Sequence, residues 1–277
     1  MSSSAWGASF GAASLSAMEV YDEVLVPSLF TPWARLLVDG LELEPGDSVL
    51  DVACGPGSVT RLEAAAVGGH GRVTGVDLSP SMLAIARAKP AEPGAAAIEY
   101  FEAPADRLPV PDESFDAATC QQGLQFFPDR AAALAELRRA LRPGGRIGVA
   151  LWAEIEQAPL FAALEAAIRE AAGDELADRY RGGPWGLASA DELRRLLEQA
   201  GFDDVRVTRE SLPFVIEGGA ARLVSTLAAS GIAAELEAMS AAEKQRLGDA
   251  VARNVEVVAS DGTLHSEAAA NLAFARR

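Results

Sequence analysis

Apolar and polar residues recur along this chain with two different periods, and the switches between them mark its elements. Ser48 to Ala53 is an apolar run around one acid, fenced by Pro45-Gly46 before and Gly55-Pro56-Gly57 after. A short apolar run between such breaks reads as a buried parallel strand. A helix is expected from Val59 to Val67, a second strand from Arg72 to Val76, and a helix from Ser79 to Ala88 opened by Ser79-Pro80. Strand three falls around Ile98 to Glu102 and strand four at Phe115 to Cys120. A helix follows from Asp129 to Leu141, stopped by Pro143-Gly144-Gly145, and strand five runs from Arg146 to Trp152. Strands alternating with helices in this way predict a doubly wound, parallel α/β sheet.

The flanks read differently. Residues 1–17 are rich in Ser, Gly and Ala and are expected to be mobile, while from Glu19 to Leu43 apolar residues recur at helical spacing with Pro27 and Pro32 as breaks. Together, residues 1–43 read as a mobile segment and capping helices. Beyond Trp152 a helix is expected over Pro159 to Ala172, a break at Gly182-Gly183-Pro184, and a helix over Ser189 to Ala200 opened by a capping box of Ser189 and Glu192. Val205 to Val215 reads as strand six and Leu264 to Phe274 as a last alternating strand. The helices between them, about 220–230 and 240–259, are too apolar to be solvated on every side. Residues 217–259 are therefore expected to form a helical lid inserted into a core of residues 44–216 plus 260–277.

Composition narrows the partners. The 277 residues carry 24 Lys plus Arg against 40 Asp plus Glu, a net charge of −16, which disfavours nucleic acid and anionic membrane surfaces. Cys54 and Cys120 lack further ligands at metal-binding spacing, so no metal site is expected, and both read as free thiols at the ends of adjoining strands. The first basic residue is Arg35, so no signal peptide is read, and no stretch approaches the roughly 20 apolar residues of a membrane span. The expectation is a cytoplasmic protein without stable membrane insertion, acting on a small molecule, with a homodimer left open.

The chemistry concentrates at Val49-Leu50-Asp51-Val52-Ala53-Cys54-Gly55-Pro56-Gly57-Ser58. Glycines after a strand allow a ligand close to the backbone. Asp51 stands where a dinucleotide site would be apolar, and a buried carboxylate needs a partner such as a ligand ammonium or water; a loop-bracing acid is the alternative. Pro56 removes an amide from the turn and Thr60 replaces the third glycine of the dinucleotide fingerprint, which handicaps a pyrophosphate cradle. Gly75-Val76-Asp77 ends strand two with an acid 20 residues after Gly57, suited to the two hydroxyls of a ribose. A ligand with a ribose, an amino-acid end and no phosphate is S-adenosylmethionine.

With Val76-Asp77-Leu78-Ser79 and Met82, Leu108-Pro109 through Ser114-Phe115-Asp116, and Leu141-Arg142-Pro143-Gly144-Gly145, these motifs stand in fixed order. In that order the chain resembles the class I S-adenosylmethionine-dependent methyltransferases, in their ubiquinone/menaquinone-methyltransferase-like branch, over roughly Tyr21 to Trp152. The resemblance implies a Rossmann-like, seven-stranded sheet, mostly parallel with an antiparallel last strand. It implies that Ala53, Gly55 and Gly57 face the methionine part of S-adenosylmethionine (product S-adenosylhomocysteine) with Asp51 at the ammonium. It further implies that Asp77 holds the ribose, Leu78 and Met82 line the adenine slot, and Ala105 and Asp106 lie at the adenine edge. The acid that relatives carry at the Pro104 position is absent.

In Cys120 to Phe127, Gln121 and Gln122 are candidates for cofactor contact, and Gln125 with Phe126 for the acceptor mouth, unless these amides only brace their loop. Tyr21 is the favoured aromatic to close the site. If the acceptor needs a base, His265 is a candidate beside Gln125. Gly7-Ala8-Ser9-Phe10-Gly11 matches a nucleophile elbow but has no strand before it. The expected function is methyl transfer to a small, partly hydrophobic acceptor, a quinone precursor or secondary metabolite. A sensor or partner subunit that binds the cofactor without transfer is the alternative, and Pro56 and Asp51 argue against a nicotinamide oxidoreductase. Gly55, Asp77 and Gln121 are expected around one crevice, where strand order reverses.

Overall fold

The computed structural model describes residues 14–256 and 259–277; the low-complexity start, with its Gly7–Gly11 motif, falls outside the described residues. Two helices lead in, α1 (Leu15–Val24) and α2 (Thr31–Gly40), joined by a π-helical turn over Val26–Phe30. Pro27 and Pro32 sit in the first turns of these segments rather than interrupting them, where a missing N–H costs nothing.

The alternating core follows as β1 (Ser48–Val52), α3 (Ser58–Val67), β2 (Arg72–Asp77), α4 (Pro80–Ala88), β3 (Ala97–Glu102), β4 (Phe115–Gln121), α5 (Arg130–Ala140) and β5 (Leu141–Trp152). β5 begins five residues earlier than the sequence suggests. Leu141 pairs with Phe115, and the register then jumps to Arg146 beside Ala117, so Pro143-Gly144-Gly145 is a bulge within the strand, not a helix stop before it. An ion pair between Arg142 and Asp116 fastens this bulge to β4.

The second half contributes α6 (Pro159–Ala172), α7 (Asp174–Gly182), α8 (Ala190–Gln199), β6 (Asp203–Glu217), α9 (Gly219–Thr226), α10 (Ala233–Ala238), α11 (Ala241–Asn254), β7 (Ala259–Ser260) and β8 (Thr263–Arg276). The sequence pattern missed α7, which is strongly polar. It is tied to α6 by Arg169 to Asp174 and Asp178 and by Arg181 to Glu165. Ser189 caps α8 through the Glu192 amide alone; the reciprocal capping box occurs at Ser240 and Glu243, opening α11.

The strand order is β3-β2-β1-β4-β5-β8-β6, with the two-residue β7 pairing β8. The sheet is parallel except at β8, which runs antiparallel to both β5 and β6 and so lies inside the sheet instead of at its edge. One face carries a core of Trp33, Leu37, Leu164, Ile168, Leu223, Val251 and Leu272; the other packs Leu134, Leu137, Leu193 and Leu197 against Ile147 and Val149. Among the described residues no helix is long and apolar enough to cross a membrane, and no cluster of His, Cys, Asp and Glu suits a metal ion.

Candidate active site

Chain order reverses between β1 and β4, and the carboxyl ends of these two strands open onto one cavity of about 410 Å³. Such a switch point is where open α/β sheets bind ligands. Ala53 and Gln122 leave their strands with φ of 60° and 55°, left-handed angles unusual for residues with a side chain. Such angles cost of order 1–2 kcal/mol each, and here both fall in the turns that line the cavity. Gly123 lets them pass, since a Cβ there would sit 2.5 Å from that of Ala53. Gly55 (φ 54°) has open space where a side chain would be, leaving its backbone bare to the cavity.

Asp77 lines the cavity at the end of β2. Its Oδ2 accepts from the Gly55 amide at 2.8 Å and its Oδ1 from the Ser79 amide at 2.8 Å. Burial nevertheless pushes its carboxyl above the usual range. Leu78, Met82, Ala105 and Asp106 continue the wall on this side. The loop carrying the last two is pinned from α5, where Glu136 accepts from the Leu108 amide and Arg139 donates to the Leu108 and Val110 carbonyls.

Asp51 and Gly57 do not form the cavity wall. Asp51 is buried one layer below, accepting from Thr60 Oγ1 at 2.6 Å and lying 3.2 Å from Thr119 Oγ1. Burial, followed by the neighbouring Asp77 charge among the raising influences, brings its carboxyl up to about 6. Gly57 instead makes room for the Tyr100 hydroxyl.

Three glutamines converge at the end of β4. Gln121 donates to the Phe30 carbonyl, while Gln122 Oε1 accepts from Gln125 Nε2 at 3.1 Å and the Trp152 amide at 3.0 Å. Gln121 Oε1, Gln122 Nε2 and Gln125 Oε1 are buried and without a hydrogen-bond partner among the described residues. Buried polar atoms left unpaired in a cavity wall are costly, and a ligand that satisfies them recovers that cost.

Tyr21 lines the cavity from α1, its ring 5.0 Å from that of Phe30, and burial and the Asp77 charge hold its hydroxyl well above the ordinary tyrosine range. Lys89 fixes α1 to the glycine turn by bridging Asp22 at 2.6 Å and the Pro56 carbonyl at 3.0 Å. The far wall is aromatic. Phe161 and Trp185 lie 5.6 Å apart, Tyr180 and Trp185 5.5 Å apart, and Trp152 completes the ring of side chains with Phe30. None of Phe161, Tyr180 and Trp185 was singled out from sequence, because aromatics at helical spacing look like core.

His265 is exposed on β8 opposite Val215 and is not among the residues lining the cavity; Gln125 lines it and is buried. Of the segment read as a lid, Thr226, Leu227, Ala229 and Ser230 line the cavity, whereas α11 packs its Leu247 and Val251 into the core beside α6. Cys54 and Cys120 are buried, unpaired thiols, one over Gly75 and the other against Gly123.

These groups suit S-adenosylmethionine: a carboxylate at a strand end to accept from ribose hydroxyls, bare backbone at Gly55, and unpaired amide donor and acceptor atoms for an amino-acid end. The sequence pattern of the ubiE/COQ5 methyltransferase family matches residues 15–216. The chain is 32% identical over 199 residues to a demethylmenaquinone methyltransferase of Shouchella clausii, covering 68% of this chain and 84% of that one. It is 35% identical to the ubiquinone/menaquinone biosynthesis C-methyltransferase of Teredinibacter turnerae, but over 47% of this chain and 52% of that one, about half the relative's length. In fold it is similar to a phosphoethanolamine N-methyltransferase of Haemonchus contortus solved with S-adenosylmethionine (TM-score 0.59, 18% identity, 95% of this chain and 57% of that one).

Proposed function

The chain belongs to the ubiE/COQ5 methyltransferase family, and from that premise we propose that it transfers a methyl group from S-adenosylmethionine to a small, largely apolar acceptor. The observation that carries this reading is one cavity lined both by the strand-end residues Ala53, Gly55, Asp77 and Met82 and by the aromatic side chains of Trp152, Phe161, Tyr180 and Trp185.

When bound, S-adenosylmethionine supplies an activated methyl group on a positively charged sulfur. Asp77, already oriented by the Gly55 and Ser79 amides, accepts from the ribose hydroxyls. Gln121 Oε1 accepts from the ammonium and Gln122 Nε2 donates to the carboxylate, with the buried charge of Asp51 beneath. Leu78, Met82 and Ala105 cover the adenine. The aromatic wall receives the acceptor and keeps water out, and alignment of the acceptor with the donor is the chain's main contribution to rate. Demethylated quinone precursors, the acceptors named for the relatives, suit such a wall. The lining residues include no His, Lys or Arg, and burial pushes the Tyr21 and Tyr180 hydroxyls up, away from general-base work at neutral pH. The reading places the enzyme in the cytoplasm, where Cys54 and Cys120 remain thiols.

A transfer assay with methyl-labelled S-adenosylmethionine and demethylmenaquinol tests it. Labelled lipid product is expected from the wild type and, at the same subsaturating cofactor concentration, much less from Asp77→Ala; binding of the cofactor with no transfer to any apolar acceptor overturns the catalytic reading.

A further inference from the structure

Glu63 has no place in the cavity wall, yet its side chain is fully buried on the inner face of α3. Its Oε1 meets the Thr119 hydroxyl at 2.7 Å, and its Oε2 has no hydrogen-bond partner. The same hydroxyl lies 3.2 Å from Asp51 Oδ1, while Thr60 Oγ1 donates to Asp51 Oδ2. Two buried carboxyl groups thus share one hydroxyl between α3, β1 and β4.

Counting protons decides between their states. The Thr119 hydroxyl has one hydrogen and serves one carboxylate; with both ionised, its other contact sets lone pair against lone pair. Two buried anions would also need a cation. The titratable groups facing the pair are Asp77 on β2, Tyr100 on β3 and the Cys54 and Cys120 thiols, none of which supplies positive charge. Arg61, on the same helix, turns outward to the Pro90 carbonyl and Glu92, and Arg35 and Asp39 of the packed α2 are exposed. Asp51 has the Thr60 hydroxyl besides the shared one, whereas Glu63 has only the shared Thr119 hydroxyl, so the proton belongs on Glu63.

We propose that Glu63 is a protonated, neutral acid that donates to Thr119 Oγ1, so that Thr119 in turn donates to Asp51 and holds that carboxylate charged and fixed beneath the ligand turn. Burial and the Asp51 charge both raise Glu63 well above the usual carboxylate range, in agreement with this ordering. Glu63 is then a positioning residue. Its effect on cofactor binding rests on the methyltransferase reading above; its protonation does not.

The protonation is therefore tested on the protein without ligand. The infrared carbonyl stretch of a buried protonated carboxylic acid is expected in the wild type at pH 7 and is lost in Glu63→Gln. A group whose folded pKa exceeds its unfolded value stabilises the fold in acid, and that contribution is lost as pH rises toward the folded pKa. Gln keeps a donor for Thr119 and has no proton to lose, so Glu63→Gln is expected to gain in unfolding temperature relative to wild type between pH 6 and pH 8. An unchanged spectrum together with an unfolding temperature that tracks the wild type at both pH values overturns the assignment.

The positioning role is read by titration with S-adenosylhomocysteine. Glu63→Gln is expected to bind within about threefold of wild type, whereas Thr119→Val, close in shape but without the hydroxyl, weakens binding by about tenfold. Full affinity in Thr119→Val overturns the positioning role. If the wild type itself does not bind, the cofactor reading fails, while the spectrum and the pH dependence still decide the proton.

Discussion

The Gly55 amide donates to Asp77 Oδ2 at 2.8 Å, tying the turn after β1 to the acid that ends β2. The two parts of the site that sequence separates by 22 residues are thereby oriented together by the chain's own hydrogen bond. Preorganisation of this kind lowers the ordering cost of binding. Asp77→Ala is expected to weaken S-adenosylmethionine binding by about 1.5–3 kcal/mol, through loss of charge-assisted hydrogen bonds to the ribose. Calorimetry checks this, and an unchanged affinity removes Asp77 from the site.

A cationic ligand end favours ionised Asp51, whose carboxyl burial raises to about 6. Affinity for S-adenosylhomocysteine is expected to fall as pH drops from 7 to 5, approaching tenfold per unit below that value. Because Asp77 is also raised, the Asp51→Asn variant assigns the effect: its titration should be weaker at pH 7 and flatter below it. The stability linkage has the opposite sense, since a raised folded pKa means stability is lost as pH rises through about 6. Asp51→Asn should therefore unfold at a higher temperature relative to wild type at pH 8 than at pH 5.

The parts of this molecule legible in sequence are those with local signatures. Gly55-Pro56-Gly57 after an apolar run, and Asp77 at the next strand end, announce themselves within a few residues, and the sheet follows from the alternation around them. Tyr180 and Trp185 do not. They flank Gly182-Gly183-Pro184, which reads only as a break, and their place in the cavity wall depends on how α7 and the turn after it pack on α6. β5 was read short because Pro143-Gly144-Gly145 signals a stop, while the bulge that absorbs it depends on the β4 partner. Asp51 was legible as a buried acid but not as one sharing Thr119 with Glu63, a contact across 56 residues.

Trp185 lines the cavity with its ring against those of Phe161 and Tyr180. Trp185→Ala is expected to lower kcat/KM for the apolar acceptor by about tenfold or more, through loss of aromatic contact area. The dissociation constant of S-adenosylhomocysteine should stay within about twofold, a difference below roughly 0.4 kcal/mol. Equal losses for donor and acceptor would contradict the division of the cavity into two walls.

Only part of the 217–259 segment faces the cavity. Leu227 lines the cavity, and Leu227→Ala should reduce transfer while sparing donor affinity. Leu247 on α11 is core, and Leu247→Ala should cost about 2–4 kcal/mol in denaturant unfolding with KM for the acceptor unchanged. A Leu247 variant of wild-type stability and altered acceptor KM would make α11 part of the lid.

The most direct test is calorimetric titration of the purified chain with S-adenosylhomocysteine and, separately, with a nicotinamide dinucleotide. One-to-one binding of the first, weakened by Asp77→Ala, with no measurable binding of the second, is the predicted result. Binding of the dinucleotide in its place, or binding of S-adenosylhomocysteine untouched by Asp77→Ala, would contradict the account.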